Sequence, residues 1–268
     1  MTESAVNSEM IVNTIDTVDS VNTIDTINAI DTVDSVDTID TMNNPLIELD
    51  DVCYAYDGHI ALRHISLAIN RGETVAIQGT NGCGKSTLLK LLNGLIFPEK
   101  GHYYFNGTEI TAQYLKDNRS SRNFHQRIGF IFQSADVQLF CNNVRDEIAF
   151  APLQMGLDEA EAARRTDDVI RLLGIEHLAD RAPYQLSGGE KRKVAFGSIL
   201  TMNPDVYVFD EPLAGLDKRS QDWFEDFLQQ LQAAGKTIIL STHDDALAHL
   251  LGDRIVYMTE DHSIDYVL

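Results

Sequence analysis

Three features of this chain predict an α/β fold. Residues 79–87 read Gly-Thr-Asn-Gly-Cys-Gly-Lys-Ser-Thr, which fits the phosphate-loop pattern G-x-x-x-x-G-K-[ST]. That loop stands between a strand-like run, Glu73 to Gln78, and a helix-like run, Ser86 to Leu95, with apolar Leu88, Leu89, Leu91, Leu92 and Leu95. From Leu46 onward, strand and helix signals alternate, as an α/β nucleotide-binding fold requires.

The chain begins with a different kind of sequence. From about Asn13 to Met42 a tripeptide repeats: Asn or Asp, then Thr, Ser or Ala, then Ile, Val or Met. A period of three fits neither a strand face nor a helix stripe. The Asp spacing lacks the glycine and terminal glutamate of a calcium loop. Residues 1–44 carry nine acids and no Lys or Arg, so they read as an acidic, low-complexity, flexible tail with no assigned function. Pro45 is the expected boundary, and residues 45–268 are expected to form one domain.

The whole chain has 268 residues, 44% hydrophobic content and a net charge of −20. The body beyond the tail keeps 32 acids against 21 bases. An acidic body argues against non-specific nucleic-acid binding and against direct adhesion to anionic lipid. No apolar run reaches the roughly 18–20 residues of a membrane span. No secretory leader is visible at the start. Cys53, Cys83 and Cys141 are far apart, without metal-ligand spacing, and read as reduced thiols.

The phosphate loop carries a definite chemistry. Gly79, Thr80, Asn81, Gly82, Cys83 and Gly84 are expected to wrap a phosphate with inward N–H groups, and the following helix adds a partial positive charge. Lys85 is expected at the β/γ-phosphates and Ser86 at Mg2+, with Thr87 completing the loop. Alkylation of Cys83 is expected to obstruct nucleotide, with ATP protecting the thiol.

A second buried-strand pattern, Asp205 to Asp210, ends in Asp210 and Glu211. Carboxylates at the C-terminal end of an α/β strand stand where ligands bind. Asp210 suits Mg2+, and Glu211 suits general-base activation of water. Leu186-Ser-Gly-Gly-Glu190 precedes a helix-like run, and its N–H groups form a potential second anion site.

The order of these parts carries a family resemblance. The chain resembles an ATP-binding subunit of an ABC transporter, with Leu186–Glu190 matching the signature motif. Gln133, after Arg127-Ile-Gly-Phe-Ile-Phe132, matches the glutamine loop. Ala214-Gly-Leu-Asp217 matches the D-loop. His243, after Thr237-Ile-Ile-Leu-Ser-Thr242, matches the switch histidine. Tyr56 stands at the aromatic-loop spacing, with Tyr54 its near competitor. Phe132-Gln-Ser-Ala-Asp-Val-Gln-Leu-Phe140 and Val144-Arg-Asp-Glu-Ile-Ala-Phe-Ala-Pro-Leu153 are similar to energy-coupling-factor ATPases of cobalt and nickel uptake. Ala135 and Ala151 depart from that subfamily's proline and glycine, and Leu213 from the usual threonine.

The resemblance implies a P-loop NTPase of the ABC ATPase fold, with an antiparallel β-subdomain and a helical signature subdomain at about 134–180. It implies ATP and Mg2+ as ligands, with Ser86, Gln133 and Asp210 around the metal. Glu211, His243, Gln133 and Lys85 become the hydrolytic set, with Tyr56 stacking on adenine. Ser187, Gly188, Gly189 and Glu190 act in trans, and Asp217 lies in the D-loop. It further implies a head-to-tail dimer with itself or a paralogous subunit. Integral membrane partners follow, with a peripheral location on the cytoplasmic face of the cell membrane. A nickel, cobalt or vitamin importer is the leading reading. A soluble ABC ATPase and an exporter subunit are the alternatives. Trp223, Phe224, Phe227, Leu228 and Leu231 recur at helical spacing and read as core. The remaining histidines, including His59 and His262, read as surface or satisfied core residues.

Overall fold

The structure is a computed structural model that describes residues 44–267. The acidic repeat therefore lies outside the described residues. The first sheet is antiparallel. Strands β1 (Ile47–Tyr56) and β2 (His59–Ile69) are joined by Asp57-Gly58, both at positive φ. That is the backbone a two-residue hairpin with right-handed twist demands. With β4 (Lys100–Phe105) and β5 (Thr108–Glu109) the order is β2-β1-β4-β5.

The second sheet has six strands. They are β3 (Thr74–Gly79), β6 (Ile128–Ile131), β7 (Val206–Asp210), β8 (Thr237–Ser241), β9 (Arg254–Met258) and β10 (Ile264–Val267), in the order β10-β9-β3-β8-β7-β6. All neighbours are parallel except β9 and β10. Every residue of β6, β7 and β8 is buried, as expected of parallel strands covered on both faces. The side-chain period of two then splits each strand between two cores. Val206 and Val208 join the cluster against the antiparallel sheet, while Tyr207 and Phe209 join the other.

Helix α1 (Lys85–Leu92) fills the first core with Leu88, Leu89, Leu91 and Leu92. It ends before the expected Leu95. The Gly94 N–H reaches Leu91 O and the Leu95 N–H reaches Lys90 O, with Gly94 at φ +65. This glycine stop leaves Leu95 half exposed. Helix α2 (Asn118–Arg127) follows the first sheet, capped by Asp117.

Between β6 and β7 lie α3 (Val144–Met155), α4 (Glu159–Leu172) and α5 (Gly188–Leu200). Pro152 sits in the last turn of α3 and has no N–H to give the Ile148 carbonyl. The Thr201 hydroxyl donates to that carbonyl instead, at 3.2 Å, tying α3 to the end of α5. The second core takes Phe224, Phe227, Leu228 and Leu231 from α6 (Lys218–Ala233) and Leu247 and Leu251 from α7 (Asp245–Leu251). Phe196 packs on Phe227 with ring centroids 4.8 Å apart. Trp223, expected in the core, is only partly buried and lies under the Lys193 ammonium at 4.0 Å.

Candidate functional site

Strand order brings the candidate residues to one edge. The phosphate loop follows β3, Gln133 and Glu211 follow β6 and β7, and His243 follows β8. These four parallel strands are neighbours, so residues 32 apart in sequence come into contact. Together they line a cleft of about 710 Å3. Its walls include Tyr56, Gly79–Gly82, Gly84–Thr87, Gln133, Asp210, Glu211 and His243.

The loop is shaped by residues that only glycine serves well. Gly84, the N-cap of α1, has φ +113, and a Cβ there would stand 2.4 Å from Ala61 O. Gly79 has φ +148, and its Cβ would meet Met258 O at 2.4 Å. Lys85 is 7% exposed, and its ammonium donates to Gly79 O at 2.8 Å and Thr80 O at 3.2 Å. No carboxylate pairs with it among the described residues. A nearly buried cation held only by carbonyl dipoles, at a helix N-terminus, fits a polyphosphate.

The acids are held as firmly. Ser241 Oγ donates to Asp210 Oδ1 at 2.6 Å and accepts the Glu211 N–H at 3.0 Å. Glu211 has φ +49, a left-handed conformation costing a non-glycine residue about 1–2 kcal/mol. Its carboxylate accepts from His243 Nδ1 at 2.8 Å, which leaves His243 Nε2 available to a ligand. Ser86, Gln133 and Asp210 all line the cleft, and their hydroxyl, amide and carboxylate are hard oxygen donors, as Mg2+ prefers. The donor set therefore fits a magnesium nucleotide.

Tyr56 lines the cleft, whereas Tyr54 packs against its ring edge at 4.9 Å. Cys83 turns its side chain away from the cleft. Its thiol is 1% exposed within the first core and does not line the cleft, so it is not open to a native-state reagent. Only its backbone belongs to the loop.

The signature residues stand elsewhere. Ser187 caps α5 in a capping box, in which Glu190 Oε2 accepts from the Ser187 N–H and hydroxyl, each at 2.8 Å. Those two bonds hold the Glu190 carboxyl below its ordinary range. Ser187, Gly188, Gly189 and Glu190 are absent from the cleft, and Gly188 borders a separate groove of about 380 Å3. Asp217 also lies outside, where its carboxylate caps α6 through the Ser220 N–H and hydroxyl. These two bonds lower its pKa.

The cleft holds residues that the sequence reading missed. His59, Ile60 and Ala61 line it, and so does His262, whose Nδ1 donates to Cys83 O at 3.2 Å. A signal existed for His59. The Asp57-Gly58 turn pairs Tyr56 directly with His59. No signal pointed to His262, which arrives from the β9–β10 hairpin.

This site defines a phosphate-loop nucleotide-binding protein. A family profile described as "ABC transporter" matches residues 62–214. The chain is 45% identical over 220 residues to the nickel import ATP-binding protein LarO of Lactiplantibacillus plantarum, covering 82% of this chain and 91% of that one. It superimposes on cbiO1 of Clostridium perfringens, described as part of the ABC transporter complex cbiONQ. That match has TM-score 0.73 and 35% identity over 84% of this chain and 88% of that one. It also superimposes on the dimeric bacterial ABC transporter cassette MJ0796, with TM-score 0.74 and 28% identity over 83% and 97% of the two chains. The chain belongs to the ATP-binding subunits of the ABC transporter family and is an ATPase.

Proposed function

We propose that this chain is the ATP-hydrolysing subunit of an energy-coupling-factor importer, peripheral to the cytoplasmic face of the membrane. Its proposed cargo is nickel or cobalt ion, or a vitamin. The nickel-import relative supports the cargo class. Among the described residues, no helix is long and apolar enough to cross a membrane, so the path for cargo is assigned to integral membrane partners. Residues 45–268 are read as one ABC ATPase domain, with the helices at about 134–180 as the docking subdomain. The half-exposed Phe150 and Leu153 and the more exposed Phe140 and Val137 on that layer support this reading.

The observation that carries the mechanism is a separation. One cleft gathers Lys85, Gln133, Asp210, Glu211 and His243, while Ser187–Glu190 stand outside it. An ATP in the cleft therefore lacks the signature N–H groups of its own chain. A head-to-tail pair, with itself or a paralogous subunit, closes each site with the partner's signature loop and repeats it by symmetry.

In that arrangement Tyr56 stacks on adenine, and Gly79–Thr87, Cys83 through its backbone, wrap the phosphates. Lys85 neutralises the β/γ oxygens. Ser86, Gln133 and Asp210 would hold Mg2+, which would supply charge neutralisation when bound. Glu211 accepts a proton from the attacking water, and His243 orients that carboxylate. Asp217 lies on the loop between the two sites. Loss of the γ-phosphate then favours opening.

Glu211→Gln tests the reading. With MgATP the variant is expected to migrate as a dimer on gel filtration and to hydrolyse at a small fraction of the wild-type rate. A variant that hydrolyses normally while remaining monomeric at saturating ATP rules the sandwich out.

A further inference from the structure

One buried cation takes no part in the chemistry above. Arg192 lies on α5, two residues beyond Glu190, and is 5% exposed. No carboxylate pairs with it among the described residues. Its guanidinium instead meets four backbone carbonyls. Nη1 donates to Pro212 O at 2.8 Å and Glu211 O at 3.2 Å. Nη2 donates to Gln133 O at 2.6 Å and Ala214 O at 3.4 Å. Burial pushes its pKa down, yet a guanidinium remains charged inside proteins.

These four carbonyls come from the segments after β6 and after β7. The segments carry the Gln133 amide and the Glu211 carboxylate into the cleft, and the backbone of Glu211 is held in a left-handed conformation that it does not favour. A carbonyl pulled toward a rigid planar fork fixes the peptide on both sides of it. We propose that Arg192 is a positioning residue for ATP hydrolysis: one guanidinium sets the Gln133 and Glu211 backbones against each other and so aims both side chains at the reacting phosphate. The proposal rests on the reading of Gln133 and Glu211 given above.

Arg192 does not line the cleft, so it is not expected to hold nucleotide. Its loss should therefore act on turnover rather than on affinity. Sub-ångström to ångström displacement of a reacting group costs up to about a hundredfold in rate.

The test compares full-length wild type, Arg192→Met, Arg192→Lys and Glu211→Gln. Affinity is read with a fluorescent ATP analogue and Mg2+, turnover by phosphate release, and folding by thermal melting. Arg192→Met should bind within about twofold of wild type, with KM unchanged and kcat lowered about tenfold or more. Arg192→Lys should fall between them, because one ammonium spans fewer of the four carbonyls. If Arg192→Met does not fold, Arg192→Lys carries the test.

Wild-type kcat in a folded Arg192→Met, or in Arg192→Lys when only that variant folds, overturns the proposal. Affinity and kcat falling together, in step with a lowered melting temperature, also overturn it. That pattern marks Arg192 as merely structural. If Glu211→Gln itself turns over at the wild-type rate, the reading of the cleft fails, and the proposal falls with it. A dead Glu211→Gln beside a fully active Arg192→Met rejects Arg192 alone.

Discussion

The burial of Cys83 can be measured with a thiol reagent. In a Cys53→Ser, Cys141→Ser protein, Cys83 is the sole thiol, and its side chain is 1% exposed in the core beneath the phosphate loop. A reagent reaches it only when that core opens. Domain stabilities are about 5–15 kcal/mol, and local openings range up to the global value. An opening free energy of about 5.5 kcal/mol slows labelling about ten-thousandfold, at about 1.4 kcal/mol per decade. Nucleotide at 100 times its dissociation constant, bound only to the closed loop, adds about 2.7 kcal/mol, a further hundredfold. The assay is maleimide labelling followed by mass spectrometry, with and without MgATP. The single-thiol protein that keeps Cys53 serves as reference, because Cys53 is partly exposed. Cys141 is a poor reference. Burial and the neighbouring Glu147 raise its thiol to about 11 and suppress the thiolate. Labelling of Cys83 as fast as Cys53, with no effect of ATP, refutes the buried placement.

Two further outcomes follow from the geometry. Gly84→Ala forces a side chain into φ +113 with a Cβ 2.4 Å from Ala61 O. The left-handed backbone alone costs about 1–2 kcal/mol, and the loop must shift as well. We expect a lowered melting temperature and ATP affinity reduced by at least about tenfold in an equilibrium titration. Unchanged affinity contradicts the close approach. Glu161 is held down to about 2 by hydrogen bonds from Arg164 and Arg165, with their charges a smaller contribution. A depressed carboxyl stabilises the fold above its unfolded value of about 4.5, and that contribution is lost as pH falls toward 2. Wild type should therefore melt above Glu161→Gln at neutral pH, and the gap should shrink below about pH 4.5. A gap constant with pH removes the linkage.

Much of this site is legible in the sequence because each part sits at a strand end. The phosphate loop is contiguous, and Gln133, Glu211 and His243 each follow an apolar run that can only be a buried strand. Adjacency in the sheet does the rest, and adjacency follows the motif order of the family. Directions within a loop are harder to read. Cys83 and Asn81 flank the same glycine, yet Asn81 faces the cleft and the Cys83 side chain faces the core. Gly82 and Gly84, both at positive φ, turn the chain between them. No composition rule encodes that turn. His262 is hidden for another reason. It reaches the cleft from a hairpin 179 residues away in sequence from the carbonyl it touches.

The run Lys191-Arg192-Lys193 marks the limit of reading charge from sequence. Three consecutive cations carry no direction of their own in the sequence. On a helix they are about 100° apart and meet three environments. Lys191 pairs at 2.6 Å with Asp136, on the segment that follows Gln133. Lys193 lies over the Trp223 ring. Arg192, between them, points inward to the carbonyls of Gln133, Glu211, Pro212 and Ala214. A helix that begins with the residues proposed to touch a partner's nucleotide thus reaches both segments proposed to act on its own. One guanidinium therefore ties α5 to the Gln133 and Glu211 segments together. Lysine would do this only in part, because a point charge on a flexible stem holds no fixed angle between four acceptors.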